Sequence, residues 1–281
     1  MVIGAVLIWA ASYPLIKIAL GDVTPILLGA LRHLIFIPLL GILFLKSGKN
    51  IFTHSKIDWI LFIGIGLFAI ALPNILQNIG MLYTTASLSS IIQSSGPMFT
   101  LFLAVIFLKE SLGAKKILGA LLALFGAVML VTGGQIQFTG TFYGNFLILL
   151  SGLSYSISGI ITKKALERHS PFVILSYGIM IGFVVLACAS LITEPVASIK
   201  FLPIHAWVVI LLLALFPSFI ASWLWYKVLI SAELSKLVLF IYLMPVFAVG
   251  ISYLMLRETI GYDTVLFAAL VIGGIALAQK G

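Results

Sequence analysis

Charged residues are scarce in this chain: Asp, Glu, Lys and Arg make up 9% of its 281 residues, against 62% apolar ones. Soluble domains run near a quarter charged, so this shortage excludes an ordinary globular fold. Where the charges are missing matters more than how few there are. Residues 59–108 hold none, and neither do residues 117–162. Each gap accommodates two membrane spans of about 20 apolar residues and the turn between them. Cysteine is nearly absent too. The lone Cys188 can form no intrachain disulfide and leaves the redox compartment unread.

Intramembrane acid is also missing. All eight acidic residues fall in predicted loops or at span ends, so the usual proton relay built on a buried Asp or Glu has no carrier. The four histidines (33, 54, 169 and 205) are scattered, and there is no HExxH, Cys–His set, phosphate-cradling glycine loop or GxSxG. Neither a metal nor a cofactor is expected, and a membrane-embedded enzyme would lack its paired acid and base groups.

What is present is a set of apolar runs. Ten spans are expected, at 2–20, 25–45, 58–79, 82–108, 114–132, 143–163, 171–192, 205–227, 234–256 and 263–279. The first has no basic stretch before it and no small-residue cleavage site after it, so it reads as a span and not as a signal peptide. A net charge of +8 could suit nucleic acid, but the cations sit in short clusters between the runs, as membrane topology requires. One set of alternate loops holds Lys46, Lys49, Lys56, Lys109, Lys115, Lys116, Lys163, Lys164, Arg168, Lys227, Lys236 and Lys280. The other holds Lys200, Arg257 and Lys17. The imbalance places the first set, and both termini, in the cytoplasm.

The halves repeat each other. Lys17 and Pro25 recur 146 residues later as Lys163 and Pro171, and Pro73 recurs after 144 as Pro217. At an offset of 148, Ser87, Pro97, Glu110, Gly113 and Gly126 recur as Ser235, Pro245, Glu258, Gly261 and Gly274. Three collinear blocks imply a duplication. The repeats are expected at residues 1–137 and 138–281. Five spans per repeat is an odd number, so the second must run antiparallel to the first about an axis in the membrane plane. Inverted repeats with a polar site at their interface are a common transporter plan.

This pattern resembles the EamA type of the drug/metabolite transporter superfamily. The resemblance rests on ten spans in two five-helix repeats, Pro in each fourth span, a Leu-(Lys/Arg)-Glu joint (Leu108-Lys109-Glu110 and Leu256-Arg257-Glu258) and a Gly-bearing fifth span. It implies an all-α membrane protein that exports or exchanges small metabolites, such as amino acids, across a cytoplasmic membrane.

Polar groups inside spans mark the expected site, since a central charge costs roughly 2.5–3.5 kcal/mol on insertion scales. Trp9, Tyr13 and Lys17 share one face of the first span; Tyr155 and Lys163 stand at equivalent places in the sixth, with Ser158 nearby. Interfacial anchoring, or snorkelling for the lysines, is the competing reading. Asn74 and Asn78 follow Pro73, and Ser218 and Ser222 stand at the matching places after Pro217. They suit either a cavity wall or helix–helix bonding. Ser94 and Tyr242 are equivalents, each three residues before a kinking proline, Pro97 or Pro245. Arg32 lies inside the second span and can hold a carboxylate, or snorkel to Asp22. His33 beside it faces elsewhere. Glu110 and Glu258 are expected to serve the N-termini of the fifth and tenth spans. Gly119, Gly126 and Gly133, and the pair Gly178 and Gly182, read as packing seams within the fold or between protomers, so monomer and homodimer both fit.

The expected function is alternating-access transport of amino acids or related amphiphilic solutes. The solute-binding set is Trp9, Tyr13, Lys17, Arg32, Asn74, Asn78, Ser94, Tyr155, Ser158, Ser222 and Tyr242; Pro73, Pro97, Pro217 and Pro245 kink or gate. The partners are a small-molecule solute and the lipid bilayer, and not nucleic acid. A broad exporter of drugs or organic cations, or an embedded enzyme, are the alternatives.

Overall fold

In a computed structural model, residues 1–38, 40, 54–108, 114–132, 140–194, 199, 202–231 and 234–279 are described, some of them (Tyr242 included) by backbone alone. Among these the regular structure is all helical. The helices are α1 (Val2–Ala19), α2 (Pro25–Leu34), α3 (Lys56–Gly80), α4 (Ala86–Gln93), α5 (Gly96–Leu108), α6 (Ala114–Thr132), α7 (Gly140–Leu166), α8 (Pro171–Thr193) and α9 (Ile204–Leu229). There follow α10 (Leu234–Leu237, prolonged by a 3-10 stretch over Val238–Tyr242), α11 (Leu243–Leu256) and α12 (Tyr262–Gln279). Five of them, α1, α3, α7, α8 and α9, are long and apolar enough to cross a membrane, and shorter apolar helices accompany them. Glu110, Gly133 and residues 39 and 41–45 of the expected second span lie outside the described residues.

Local chemistry sets the helix starts. Pro25 and Pro171 open α2 and α8, where a missing N–H is harmless. Ser55 and Asp58 close a capping box at the start of α3. Two expected spans are broken in the middle. The fourth stops at Gln93 and resumes as α5 at Gly96, after a turn through Ser94 and Ser95; the ninth passes through the 3-10 stretch before Pro245. Each break falls just ahead of a proline, where the ring removes a donor and crowds the preceding turn.

In α3 and α9 the backbone widens to π register over Gly66–Ala71 and Ala214–Ala221. Such widenings are uncommon and occur preferentially at functional places. They sit against Pro73 and Pro217, whose rings crowd the carbonyl one turn earlier in the ordinary register.

Each helix before residue 133 makes its most extensive contact with a helix beyond residue 140: α1 with α9, α4 with α11, α2 with α8, α3 and α5 with α7, and α6 with α12. The halves therefore interlock. Bare backbone permits the closest approaches. A Cβ on Gly80 would stand 2.8 Å from Gly144 O, and one on Gly144 would stand 2.7 Å from Gly80 O. Gly182 abuts Ile70 and Gly66, and Gly126 abuts Phe267 and Val271, so the seams at these two glycines lie inside the fold.

Bonds to helix ends tie the interlocked elements. Lys17 Nζ donates to Met81 O (2.6 Å) and Thr84 O (2.8 Å) at the C-terminus of α3. Its repeat counterpart Lys163 donates to Leu229 O (2.8 Å) at the C-terminus of α9. Glu194 accepts from Ile26 N and Leu27 N at the start of α2. Glu258 accepts from Ala86 N and Ser87 N at the start of α4. The sequence assigns Glu258 to the N-terminus of its own following helix; the fold gives it to α4, because the antiparallel packing of α11 on α4 carries the joint after α11 there.

Candidate functional site

Stripes from four helices meet in the interior. Trp9, Ser12, Tyr13 and Ile16 come from α1, and Ile70, Asn74 and Gln77 from α3. Gly152, Tyr155, Ser156, Gly159 and Thr162 come from α7, and Ser218, Ser222, Trp225, Tyr226 and Leu229 from α9. Their spacing of three and four residues puts each set on one helix face. They bound a cavity of about 190 Å³ whose surface is mainly apolar. A cavity of about 150 Å³ holds a benzene molecule, so this one suits a small solute. Trp9 and Trp225 form a tilted pair with centroids 5.3 Å apart. Tyr155 keeps 39% of its surface exposed although it sits in the cavity wall, so the ring faces open space within the fold.

Part of the polar inventory is occupied by backbone that the π segments release. Asn74 Nδ2 donates to Ile70 O (2.7 Å), Ser154 Oγ to Phe68 O (2.9 Å) and Ser218 Oγ to Leu213 O (3.0 Å). Pro217 O accepts from both Trp9 Nε1 (3.1 Å) and Ser222 Oγ (3.2 Å). Buried carbonyls left unpaired would cost about 1–3 kcal/mol each, so these side chains hold the widened helices open beside the cavity.

The strongest electrostatic feature is Arg32, 92% buried, in the cavity wall. Its Nε donates to Ser218 Oγ (2.9 Å) and its Nη1 to Asn74 Oδ1 (3.2 Å). Among the described residues no carboxylate pairs with it. The expected partner Asp22 is engaged elsewhere, 2.8 Å from His205 Nε2. Arg32 therefore turns inward and does not snorkel. A buried cation held only by neutral dipoles stays short of compensation, and a planar guanidinium is suited to bind a carboxylate through two parallel bonds.

Of the residues singled out from sequence, the structure brings Trp9, Tyr13, Arg32, Asn74, Tyr155, Ser158 and Ser222 to one cavity, with Pro97 and Pro217. Lys17 is drawn off by the carbonyls at the end of α3. Asn78 donates to Pro25 O (2.9 Å), and Ser94 Oγ bonds back to Ile91 O within its own turn. Neither these nor Pro73 and Pro245 line the cavity. The side chain of Tyr242 lies outside the described residues. His33, expected to face elsewhere, does reach the wall while its Nδ1 lies 2.8 Å from Gly29 O. Thr162, Trp225 and Tyr226 were missed in the sequence reading. The signal for Trp225 and Tyr226 was present: they continue the face begun by Ser218 and Ser222.

The sequence model of the EamA-like transporter family matches residues 1–132 and again residues 142–279. An uncharacterized transporter of Archaeoglobus fulgidus is 26% identical over 274 residues, covering 96% of this chain and 93% of that protein. The uncharacterized transporter YyaM of Bacillus subtilis is 28% identical, covering 99% and 92%. A probable terminal-alkyne amino-acid exporter of Streptantibioticus cattleyicolor is 25% identical over 207 residues, covering 73% and 68%. One solved crystal structure shares the fold with a TM-score of 0.69 at 20% identity, covering 98% of this chain and 94% of its own.

Proposed function

The chain belongs to the EamA-like transporter family, and from that premise we propose that it carries a small solute bearing a carboxylate through the cavity between α1, α3, α7 and α9. The chain is a multi-pass membrane transporter. The observation that carries the finer reading is Arg32, buried at the cavity wall with Ser218 and Asn74 as its hydrogen-bond partners among the described residues. A solute carboxylate is the counter-charge that the described residues do not supply. The aromatic wall of Trp9, Tyr13, Tyr155 and Trp225 takes an apolar portion, so the solute is an amino acid or a related amphiphilic acid. The amino-acid exporter among the relatives supports this reading.

Organic cations, the alternative within transport, would meet a like charge in a low-dielectric cavity. An embedded enzyme would need an acid and a base in contact with the solute, and among the described residues the wall carries no carboxylate. The plan is alternating access by two inverted repeats, residues 1–137 and 138–281, with ten spans and both termini in the cytoplasm. It is supported by the twofold family match, by a π segment beside each of the equivalent prolines Pro73 and Pro217, and by Lys17 and Lys163 bonding equivalent helix ends.

The test is a thermal-shift screen of purified protein against amino acids, nucleosides, sugar phosphates and organic cations, followed by liposome flux. A ligand at about 100 times its dissociation constant stabilises by roughly 2.7 kcal/mol, a readable rise in melting temperature. Shifts confined to carboxylates, with flux lost in Trp9→Ala and Tyr242→Ala, are expected. Shifts confined to organic cations, or full flux in both variants, would overturn the reading.

A further inference from the structure

At the end of the bundle where α3 begins and α7 ends, three metal-ligating side chains converge, and none of them lines the cavity. His54 precedes α3, Asp58 sits in its first turn, and His169 lies in the loop between α7 and α8. One ligand atom of each lies within 4.8 Å of the others. Sequence spacing scatters the two histidines; the packing of α3 on α7 and α8 brings them together.

The geometry points to a site for a divalent transition-metal ion, formed by His54, Asp58 and His169, that staples the first half of the chain to the second. This proposal is independent of the solute assignment. His169 Nε2 is buried and comes within 3.0 Å of Asp58 Oδ1. Two ligands of one ion about 2.0–2.1 Å from each would stand about 3 Å apart with no proton between them. Two imidazoles and a carboxylate select a borderline cation of the Zn²⁺ class over Ca²⁺ or Mg²⁺, which prefer oxygen alone.

The surroundings are those of a held site. Asp58 Oδ2 accepts from Ser55 N (3.0 Å) and Ser55 Oγ (2.6 Å), which fixes the carboxylate. The phenol of Tyr177 lies 3.0 Å from His54 Nε2. Tyr177 stacks on Phe62 with centroids 4.4 Å apart, and the His54 ring stands edge-on to both. Outer contacts of this kind orient metal ligands and limit water access. Arg168 Nε bonds Asp58 Oδ1 at 2.7 Å, but its side chain is 46% exposed and free to leave when a cation arrives.

Tag-free, EDTA-treated full-length protein in detergent is titrated with Co²⁺ and then with Zn²⁺. Visible d–d absorption with Co²⁺, its loss on Zn²⁺ addition and a raised melting temperature with Zn²⁺ are expected. His54→Ala and His169→Gln should weaken binding at least tenfold. His205→Ala, at the exposed pair with Asp22, should change nothing. Arg168→Ala separates the metal site from a plain ion-pair latch: it removes the competing guanidinium and should tighten Zn²⁺, whereas a latch would only lose stability. That variant keeps all three ligands, so it decides even if a histidine variant fails to fold. No absorption in the wild type, equal absorption in the histidine variants, or no tightening in Arg168→Ala would overturn the proposal.

Discussion

Arg32 Nε donates to Ser218 Oγ at 2.9 Å, while Arg32 Nη1 donates to Asn74 Oδ1 at 3.2 Å. Asn74 and Ser218 are the residues that follow Pro73 and Pro217, the equivalent prolines of the two halves. One guanidinium thus bridges matching places of both halves, and its own counterpart, Gly178, has no side chain to repeat the arrangement.

Arg32→Gln is expected to weaken binding of a carboxylate solute by about 10- to 150-fold, the equivalent of losing a charged hydrogen bond worth roughly 1.5–3 kcal/mol. Arg32→Lys should not rescue it, because a point charge cannot form the two-pronged pair. Arg32→Gln should fold as well as the wild type or better, since it removes an incompletely compensated buried charge. Isothermal titration and melting temperature, read together, check both statements. A destabilised protein with unchanged affinity would make Arg32 a structural strut.

Lys17→Met carries the opposite expectation. Its ammonium holds the carbonyls of Met81 and Thr84 and does not line the cavity. Removing it leaves two acceptors short of a donor and should lower stability by about 1–3 kcal/mol. The transport KM should stay within a factor of two of wild type. A large KM change without a stability loss would return Lys17 to the solute site.

These two residues show what was legible in the sequence. Both are cations in apolar helices, and burial cost alone marks both as needing a partner. The choice between solute and backbone depends on which carbonyls lie within reach. That is fixed by how α3 turns into α4, a long-range fact. The collinear recurrences at offsets of 144, 146 and 148 are read directly from the sequence, and the polar faces of α1 and α7 follow from periodicity, which is local. The π widenings could not be read, because they arise where proline's ring and the packing of a distant helix, α8 on the first and α1 on the second, act on one turn. The convergence of His54 with His169 was unreadable for a similar reason: it exists only once the halves interlock.

Gly144→Ala and Gly80→Ala should each destabilise by about 1–3 kcal/mol, because the added methyl would meet a backbone oxygen at 2.7–2.8 Å and a helix axis would have to move. Gly4→Ala, with nothing within 4 Å of the added carbon, should be neutral or slightly stabilising. Melting temperatures of the three variants check this. Equal values would mean that α3 and α7 separate without cost.

Glu258→Gln tests the tie between α11 and α4. The carboxylate accepts from Ala86 N (3.0 Å), Ser87 N (2.8 Å) and Ser87 Oγ (2.8 Å). A carboxylate at a helix N-terminus contributes about 0.3–1 kcal/mol through the dipole, and up to about 2 when partly buried. Gln keeps one acceptor oxygen and loses the charge, so a stability loss of about 1–2 kcal/mol is expected. Ser87→Ala should cost less. The double variant should cost less than the sum, because the two share a bond. The bond also joins the two halves, and the alternating access proposed above requires them to move against each other. If it persists through the cycle, Glu258→Gln lowers the melting temperature and leaves the turnover rate unchanged. If it breaks in one of the two states, the variant stabilises that state relative to the other and changes turnover as well. The second outcome is expected, because α4 ends at the helix break ahead of Pro97 and is therefore the shorter and more easily displaced partner. An unchanged turnover with a lowered melting temperature would place the moving boundary elsewhere.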